Sequence, residues 1–502
     1  MKILPIEKVR EADAYTIKNE PIADIDLMER AATRLFERIS SVFDTSFHIK
    51  TFCGLGNNGG DGFAVSRMLA NSGYKVSVYV VRYSDKMSPS CKINFDRVKN
   101  AKNVTVIDIK EKSKLPTFEA NDVIIDAIFG SGLKRPVKGF IAGIIDLINK
   151  SNVPVIAIDA PSGFFCDSTN KDNKGAIIKA TVTLTFQFPK YGFLFPENED
   201  YVGEWYVLPI GLHPEFIRDV KVDDFLLESQ DVKRLLKRRK KFSHKGTYGH
   251  GLLISGSYGK MGAAVLGSKA ALRSGAGLIT THIPSKGYGI IQTAVPEAMV
   301  SIDIDEHIFS EVPYLSKYNA IAIGPGIGTE KQTAKALKLL IQNAGGPIIF
   351  DADAINILSE NKTWISFIPP NSIFTPHPKE FERLAGKSSD NFERNKMQRD
   401  FSIKHNCYVI LKGAHTAITT PAGNCWFNTT GNPGMATGGS GDVLTGILLG
   451  LLAQGYTPLE TSLLGVFIHG LAGDIAADKS GYEALTAGDI IENLGEAFKE
   501  VR

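Results

Sequence analysis

The sequence predicts a two-domain α/β protein, and three observations carry that prediction. The chain has 502 residues, beyond the roughly 250–300 at which a single hydrophobic core stops growing. Short β-branched runs alternate with amphipathic segments in both halves, the pattern of mostly parallel sheets covered by helices. Between the halves, residues 211–224 are polar and lack a clear period. This predicts a first domain over 1–212, a linker over 213–225 and a second domain over 226–502.

In the first half the predicted strands are Ile49–Cys53, Lys75–Val81, Val104–Ile107, Val123–Ile125, Val155–Ile158 and Thr181–Phe186, with helices such as Gly62–Ser72 and Phe140–Lys150 between them. In the second half they are Gly251–Ser255, Leu278–Ile283, Ala320–Ile323, Pro347–Phe350 and Tyr408–Leu411. Val443–Ala453 is the most apolar run, and it falls well short of the ~20 residues that span a bilayer. It is read as a buried helix. The apolar start Ile3–Ile6 is interrupted by Pro5, so no signal peptide is visible. A cytoplasmic protein without a membrane partner is expected.

Net charge is +3, which gives no electrostatic reason to expect nucleic acid as a partner. The basic run from Lys233 to Lys241 reads as a solvated helix end, or else as a patch steering an anionic nucleotide. Five cysteines are scattered, odd in number and without a C-x-x-C pair, so neither a disulfide framework nor a zinc site is expected. Glycine makes up 48 of 502 residues, above the usual ~7%. The excess lies in short clusters, which suggests loops that approach ligands closely.

The first cluster, from Gly54 to Gly62, follows a strand and opens a helix. Its backbone N–H groups would face a phosphate at the helix N-terminus. The spacing is not G-x-G-x-x-G, and no acidic residue ends the next strand as a dinucleotide fold requires. Asp126 closes Val123–Ile125 and leads into Gly130-Ser131-Gly132-Leu133-Lys134-Arg135. Asp159 closes Val155–Ile158 and leads into Pro161-Ser162-Gly163. In a parallel sheet these features share one edge, where open α/β folds bind ligands.

These segments, with Pro189-Lys190-Tyr191-Gly192, resemble the NAD(P)H-hydrate epimerase domain. The resemblance implies a Rossmann-like three-layer α/β/α fold. It implies that Asn57, Asn58, Gly59, Gly60, Asp61, Gly130, Ser131, Gly132, Leu133, Lys134, Arg135, Pro136 and Asp159 contact the hydrate. Asn58, Asp126 and Ser162 would bind potassium, a hard cation suited to oxygen ligands. Asp159 is the candidate for the proton chemistry. The chain departs from the family pattern at Ala32 and Ser168, where glycine is usual.

The second half carries a longer signal, Gly431-Asn432-Pro433-Gly434-Met435-Ala436-Thr437-Gly438-Gly439-Ser440-Gly441-Asp442, directly before Val443–Ala453. Small residues ahead of a helix leave its first N–H groups open to developing phosphoryl charge. Asp442 would stand beside that anion hole, placed to take a proton from an attacking hydroxyl. Gly324–Gly328, Asp351–Ala354 and Lys412–Thr416 each follow one of these predicted strands, and Thr375–Glu380 ends a further one.

This set, with His244–Gly249, Gly262-Ala263, Pro296-Glu297 and His469–Asp474, resembles the ribokinase-like fold and, within it, the ADP-dependent NAD(P)H-hydrate dehydratases. The resemblance implies hydrate contacts at Ala263, Gly326, His377 and Asp442. It implies nucleotide contacts at Lys412, Gly413, Ala414, His415, Thr416 and Gly441. A bifunctional enzyme is expected: the first half would interconvert the R and S hydrates of NADH and NADPH. The second would dehydrate the S hydrate by phosphoryl transfer from ADP or ATP, with Mg2+ on the phosphates, releasing AMP or ADP and phosphate. A homo-oligomer is the expected assembly. Two rivals stand beside this reading. One is a vitamin-precursor kinase, whose phosphorylated product would accumulate. The other is a first half that only binds a nucleotide or RNA end.

Overall fold

Residues 1–502 are described by a computed structural model. The chain divides into two compact units, residues 2–222 and residues 223–502, the latter grouped with Met1.

The first unit is built on strands β1 (His48–Cys53), β2 (Lys75–Val81), β3 (Val104–Ile109), β4 (Asp122–Ala127), β5 (Val155–Ile158), β6 (Val182–Phe186) and β7 (Glu204–Leu208). They form one sheet in the order β3-β2-β1-β4-β5-β6-β7, parallel throughout. Alternate residues feed two cores. Val123 and Ile125 pack with the helices Asp24–Ser40, Asn57–Asn71 and Pro89–Lys99, whereas Ile124 faces the helix Phe140–Asn149. Three layers result. Strand order reverses between β1 and β4, and the crevice outside their carboxyl ends is where such sheets bind ligands.

Two sequence expectations shift here. Asp126 lies inside β4, and the helix after β1 begins at Asn57, so Asn57–Gly62 are its first turns. The glycines are there for close packing. A Cβ on Gly60 would strike Met28, and one on Gly62 would strike Ala127 and Cys53.

The second unit contributes β8 (Asp224–Leu227), β9 (His250–Ile254), β10 (Leu278–Ile283), β11 (Met299–Ile302), β12 (Ala320–Ile323), β13 (Ile348–Phe350), β14 (Ile373–Phe374), β15 (Tyr408–Leu411), β16 (Ala417–Thr419) and β17 (Cys425–Asn428). Their order is β11-β10-β9-β12-β13-β14-β15-β16-β17-β8. The run from β11 to β15 is parallel, and β16 is antiparallel to both of its neighbours. Leu253 and Ala322 face a core shared with the helices Met261–Arg273, Ser440–Ala453, Pro458–Ser480 and Ala487–Glu500. Leu252 and Ile321 face the other layer, with the helices Lys331–Asn343 and Ala352–Glu360. The 23-residue helix Pro458–Ser480 has the length and apolarity to cross a membrane, but 67% of its apolar window is buried inside the unit.

The segment expected as a linker is ordered at both ends. Residues 214–219 form a helix, and Phe216, Ile217, Val220 and Val222 pack on a cluster around Leu4, Leu27 and Ile210. From Asp224 the chain is already a strand of the second sheet. Four apolar residues among polar ones hid this packing.

The basic run begins in the last turn of the helix Ser229–Leu235, at Lys233 and Arg234, and continues as an exposed coil in which Phe242 is 95% accessible. Lys237 bonds to Gly455 and Arg239 to Gly275, while Arg238, Lys240 and Lys241 are exposed. Limited trypsinolysis should therefore cut first at residues 238–241. The two fragments should stay together on native size exclusion, because β8 remains hydrogen-bonded to β17. First cleavage within 123–159 would contradict this expectation.

Candidate active sites

In the first unit the carboxyl ends of β1, β4 and β5 open on a cavity of about 440 Å³. Asn57, Asn58, Asp61, Gly130, Ser131, Gly132, Leu133 and Asp159 line it, as do Arg10, Asp13 and Tyr83. Gly59 and Gly60 are buried in helix packing below it. Lys134, Arg135 and Pro136 sit on the exposed loop beyond its lining. The helix ladder starts with the Gly60 amide on the Gly56 carbonyl, 3.1 Å. The preceding amides are therefore open to an anion.

Asp159 adopts a left-handed backbone, φ +63°, a strained state for a residue with a Cβ that the surroundings must enforce. The fully buried Lys190 ammonium lies 2.9 Å from its Oδ1. The amides of Ser131 (3.4 Å) and Phe186 (3.4 Å) and the Thr185 hydroxyl (3.3 Å) also donate to it. Burial works to raise this carboxyl, but Lys190 and these donors outweigh it, so it stays below the ordinary aspartate range. Its neighbours behave oppositely. Burial, reinforced by the Asp159 charge, pushes Asp13 up to about 7 and holds Asp61 well above its usual value.

Asp126 is buried, and its oxygens accept from the Ser162 amide (2.7 Å) and hydroxyl (2.6 Å). Burial raises it to about 6 despite those donors. The Asn58 side chain packs against Gly130, and both its oxygen and its nitrogen are buried without a hydrogen-bond partner. Buried amides are rarely left so.

In the second unit a cavity of about 690 Å³ is lined by His377, Lys412, Gly413, Ala414, Thr416, Gly441, His469 and residues of the 430–437 loop. His415 is placed behind this lining, with Nδ1 3.2 Å from the Asn428 carbonyl. The helix Ser440–Ala453 starts after Gly439, φ +91°, and its ladder begins with the Val443 amide on the Gly439 carbonyl, 3.0 Å. The amides of Gly441 and Asp442 precede that bond and are open to an anion. His469 is pushed down to about 4 by burial, so it is neutral, and its Nε2–H donates to the Ser440 carbonyl, 3.0 Å.

Lys412 Nζ lies 3.0 Å from Asp351 Oδ1 and 4.0 Å from Glu380. Burial opposes its charge, but the two carboxylates hold it above the ordinary lysine range. Asp351 is fixed by the hydroxyls of Thr375 and Thr445, each at 2.8 Å. A Cβ on Gly441 would lie 3.4 Å from Lys412 Nζ. The glycine thus brings the ammonium up to the helix start. Asp442 is raised to about 6 by burial and by Asp351, against the pull of Lys412. Gly326, φ +68°, abuts Ala263, so these two expected contacts adjoin each other, Gly326 in the loop after β12 and Ala263 in the first turn of the helix Met261–Arg273. Neither they nor Asp442 are among the residues lining the larger cavity. His377 also caps a helix, accepting from the Lys379 amide at 3.1 Å.

Sequence reading missed Arg10, Asp13 and Tyr83, and gave Lys190 no role. The Pro189–Gly192 segment was a signal for Lys190. The residues on the first helix had none.

Two α/β units, each with charged groups around an open helix N-terminus at its strand ends, define a tandem enzyme with two centres. Residues 24–192 match the family described as YjeF-related protein N-terminus, and residues 251–495 match NAD(P)H-hydrate dehydratase. The bifunctional NAD(P)H-hydrate repair enzyme Nnr of Moorella thermoacetica is 33% identical over 98% of this chain and 96% of that protein. The namesake of Thermofilum pendens is 33% identical over 100% and 97%. The crystal structure of the ADP/ATP-dependent NAD(P)H-hydrate dehydratase from Bacillus subtilis, co-crystallised with ATP and Mg2+, is 30% identical. It covers 55% of this chain and 99% of that one, with a TM-score of 0.49. The chain belongs to the family of bifunctional NAD(P)H-hydrate repair enzymes.

Proposed function

We infer that residues 2–222 interconvert the R and S hydrates of NADH and NADPH, and that residues 223–502 dehydrate the S hydrate with ADP or ATP. The observation that carries it is the convergence of Lys412, Gly441 and Asp442 at one helix N-terminus. Lys412 and the open amides would hold the phosphate that moves. Asp442 would take the proton of the ring hydroxyl as that oxygen attacks. The hydroxyl, once phosphorylated, leaves as phosphate while the ring double bond re-forms. Ala263, Gly326 and His377 would contact the hydrate. Gly413, Ala414, His415 and Thr416 would contact the nucleotide.

No cluster of three acidic, histidine or cysteine ligands is present, which fits a magnesium bound mainly through phosphates and water. It would neutralise phosphate charge there. In the first unit Asn58, Asp126 and Ser162 would hold potassium; the partnerless buried amide of Asn58 supports this. Asn57, Asp61, Gly130 to Leu133 and Asp159 would contact the hydrate. Five free, buried cysteines fit a reducing, cytoplasmic compartment. The exposed Met299, Ile302 and Ile304 at and beyond edge strand β11 support a homo-oligomer.

The test is to incubate the protein with each hydrate epimer, with and without ADP or ATP, and follow the absorbance of the reduced ring. Without nucleotide the epimers should interconvert and absorbance should stay flat. With nucleotide both epimers should be consumed, with one inorganic phosphate released per ring restored. A stable phosphoester with no recovery of absorbance would refute the dehydratase reading and favour a kinase.

A further inference from the structure

The helix Ile6–Asn19 presents Ile6, Val9, Arg10 and Asp13 to the first cavity, a spacing that places all four on one helical face. Its start is anchored, since the Ile6 amide donates to Asp167 at 2.8 Å, beyond the β5 loop that carries Asp159. Arg10 lies against Gly132 in the loop after β4. Asp13 is the one carboxylate on this face, and it shares the cavity with Asp159.

We propose that Asp13 is the proton donor of the epimerase site and works with Asp159 as its acceptor. This rests on the epimerase reading above. Water adds to an enamine at the carbon that bears nitrogen, so the hydroxyl of the hydrate sits on the ring carbon beside the ring nitrogen. Inverting that carbon requires its C–O bond to break and re-form on the other face. In the first step the Asp13 carboxyl gives its proton to the hydroxyl. The C–O bond breaks, water departs, and the nitrogen lone pair moves into the C–N bond to give an iminium ion. In the second step water adds to the iminium carbon from the opposite face, the C–N electron pair returns to nitrogen, and the Asp159 carboxylate takes the water's proton. Return of one proton from Asp159 to Asp13 through solvent restores both groups.

The environments divide the two roles. Asp159 is kept ionised by Lys190, whereas Asp13 faces Asp159, Lys190 and Asp24, shares the cavity with Asp61 and Arg10, and is raised to about 7. Paired groups pushed apart in this way mark an acid and a base. The Asp13 proton is present below pH 7 and is lost above it.

The experiment uses the full chain with Asp13→Asn and Asp13→Glu. Interconversion of separated R and S hydrates is followed by chromatography from pH 5.5 to 8.5, and nucleotide-driven dehydration of the S hydrate is measured on the same preparations. The parent rate should fall as pH rises through about 7. Asp13→Asn should lose about 10²–10⁴ of the rate, the usual scale for a general acid, and with it that alkaline limb. Asp13→Glu should recover part of both, and all three proteins should dehydrate the S hydrate alike. Epimerisation by Asp13→Asn within threefold of the parent, or an unchanged alkaline limb, overturns the assignment. So does an Asp13→Glu variant as slow as Asp13→Asn while its thermal unfolding matches the parent. A parent protein that leaves the epimers unchanged overturns the epimerase reading itself.

Discussion

Asp442→Ala is expected to slow nucleotide-driven dehydration by about 10²–10⁴, the scale for loss of a general base, while nucleotide affinity is kept or improved. The carboxylate stands at an open helix start with Lys412 nearby, and its removal takes away a negative charge that opposes phosphate binding. The pH dependence gives a second readout. Asp442 is raised to about 6, and the base is the ionised form, so the parent rate should fall as pH drops through about 6. The variant should lose that limb. Single-turnover rate and nucleotide affinity measured on one preparation separate the outcomes: a near-normal rate would leave Asp442 as a helix-capping residue. Rate and affinity lost together would point to a folding defect.

The second large effect is at Asp159. Asp159→Ala should abolish epimer interconversion and spare dehydration of the S hydrate, but it should also destabilise the first unit. It would strand the fully buried Lys190 ammonium, and breaking such a pair costs about 3–5 kcal/mol. Asp159→Asn is the sharper test, because an amide oxygen can still accept from Lys190. Its thermal unfolding should lie closer to the parent, with epimerisation still lost. Epimerisation at the parent rate in a folded Asp159→Asn would remove Asp159 from the chemistry.

Much of both sites was legible because the sheet writes its strands as β-branched runs and its ligand loops as glycine clusters at their ends. Eleven of the strands coincide with such runs to within two residues at either end. β7, β8, β11, β16 and β17 were too short or too mixed to stand out, and β14 showed only through the loop that begins at Thr375. The Asn57–Gly62 segment reads as loop because three glycines in a row of six are costly in a helix. Tertiary packing decides otherwise, since only a bare backbone clears Met28, Ala127 and Cys53. Asp13 and Arg10 were invisible for a different reason. On a short amphipathic helix a charged residue reads as solvent-facing, and nothing in the local pattern says that this helix closes over a cavity built from loops far along the chain.

Strand β8 has a bearing on how the second unit can be handled by itself. The matched family region starts only at residue 251, and a fragment begun there would lack a whole outer strand. Its loss would expose the edge of β17, leave Trp426 without the Phe225 ring stacked on it at 4.4 Å, and strip Arg399 of its Asp224 partner. Beginning at 226 would sacrifice the same two side chains. A recombinant second half should therefore start no later than Asp223. An unguarded strand edge in a shorter piece is an invitation to aggregate, and poor yield from such a piece would reflect the position of the cut, with the dehydratase fold itself sound.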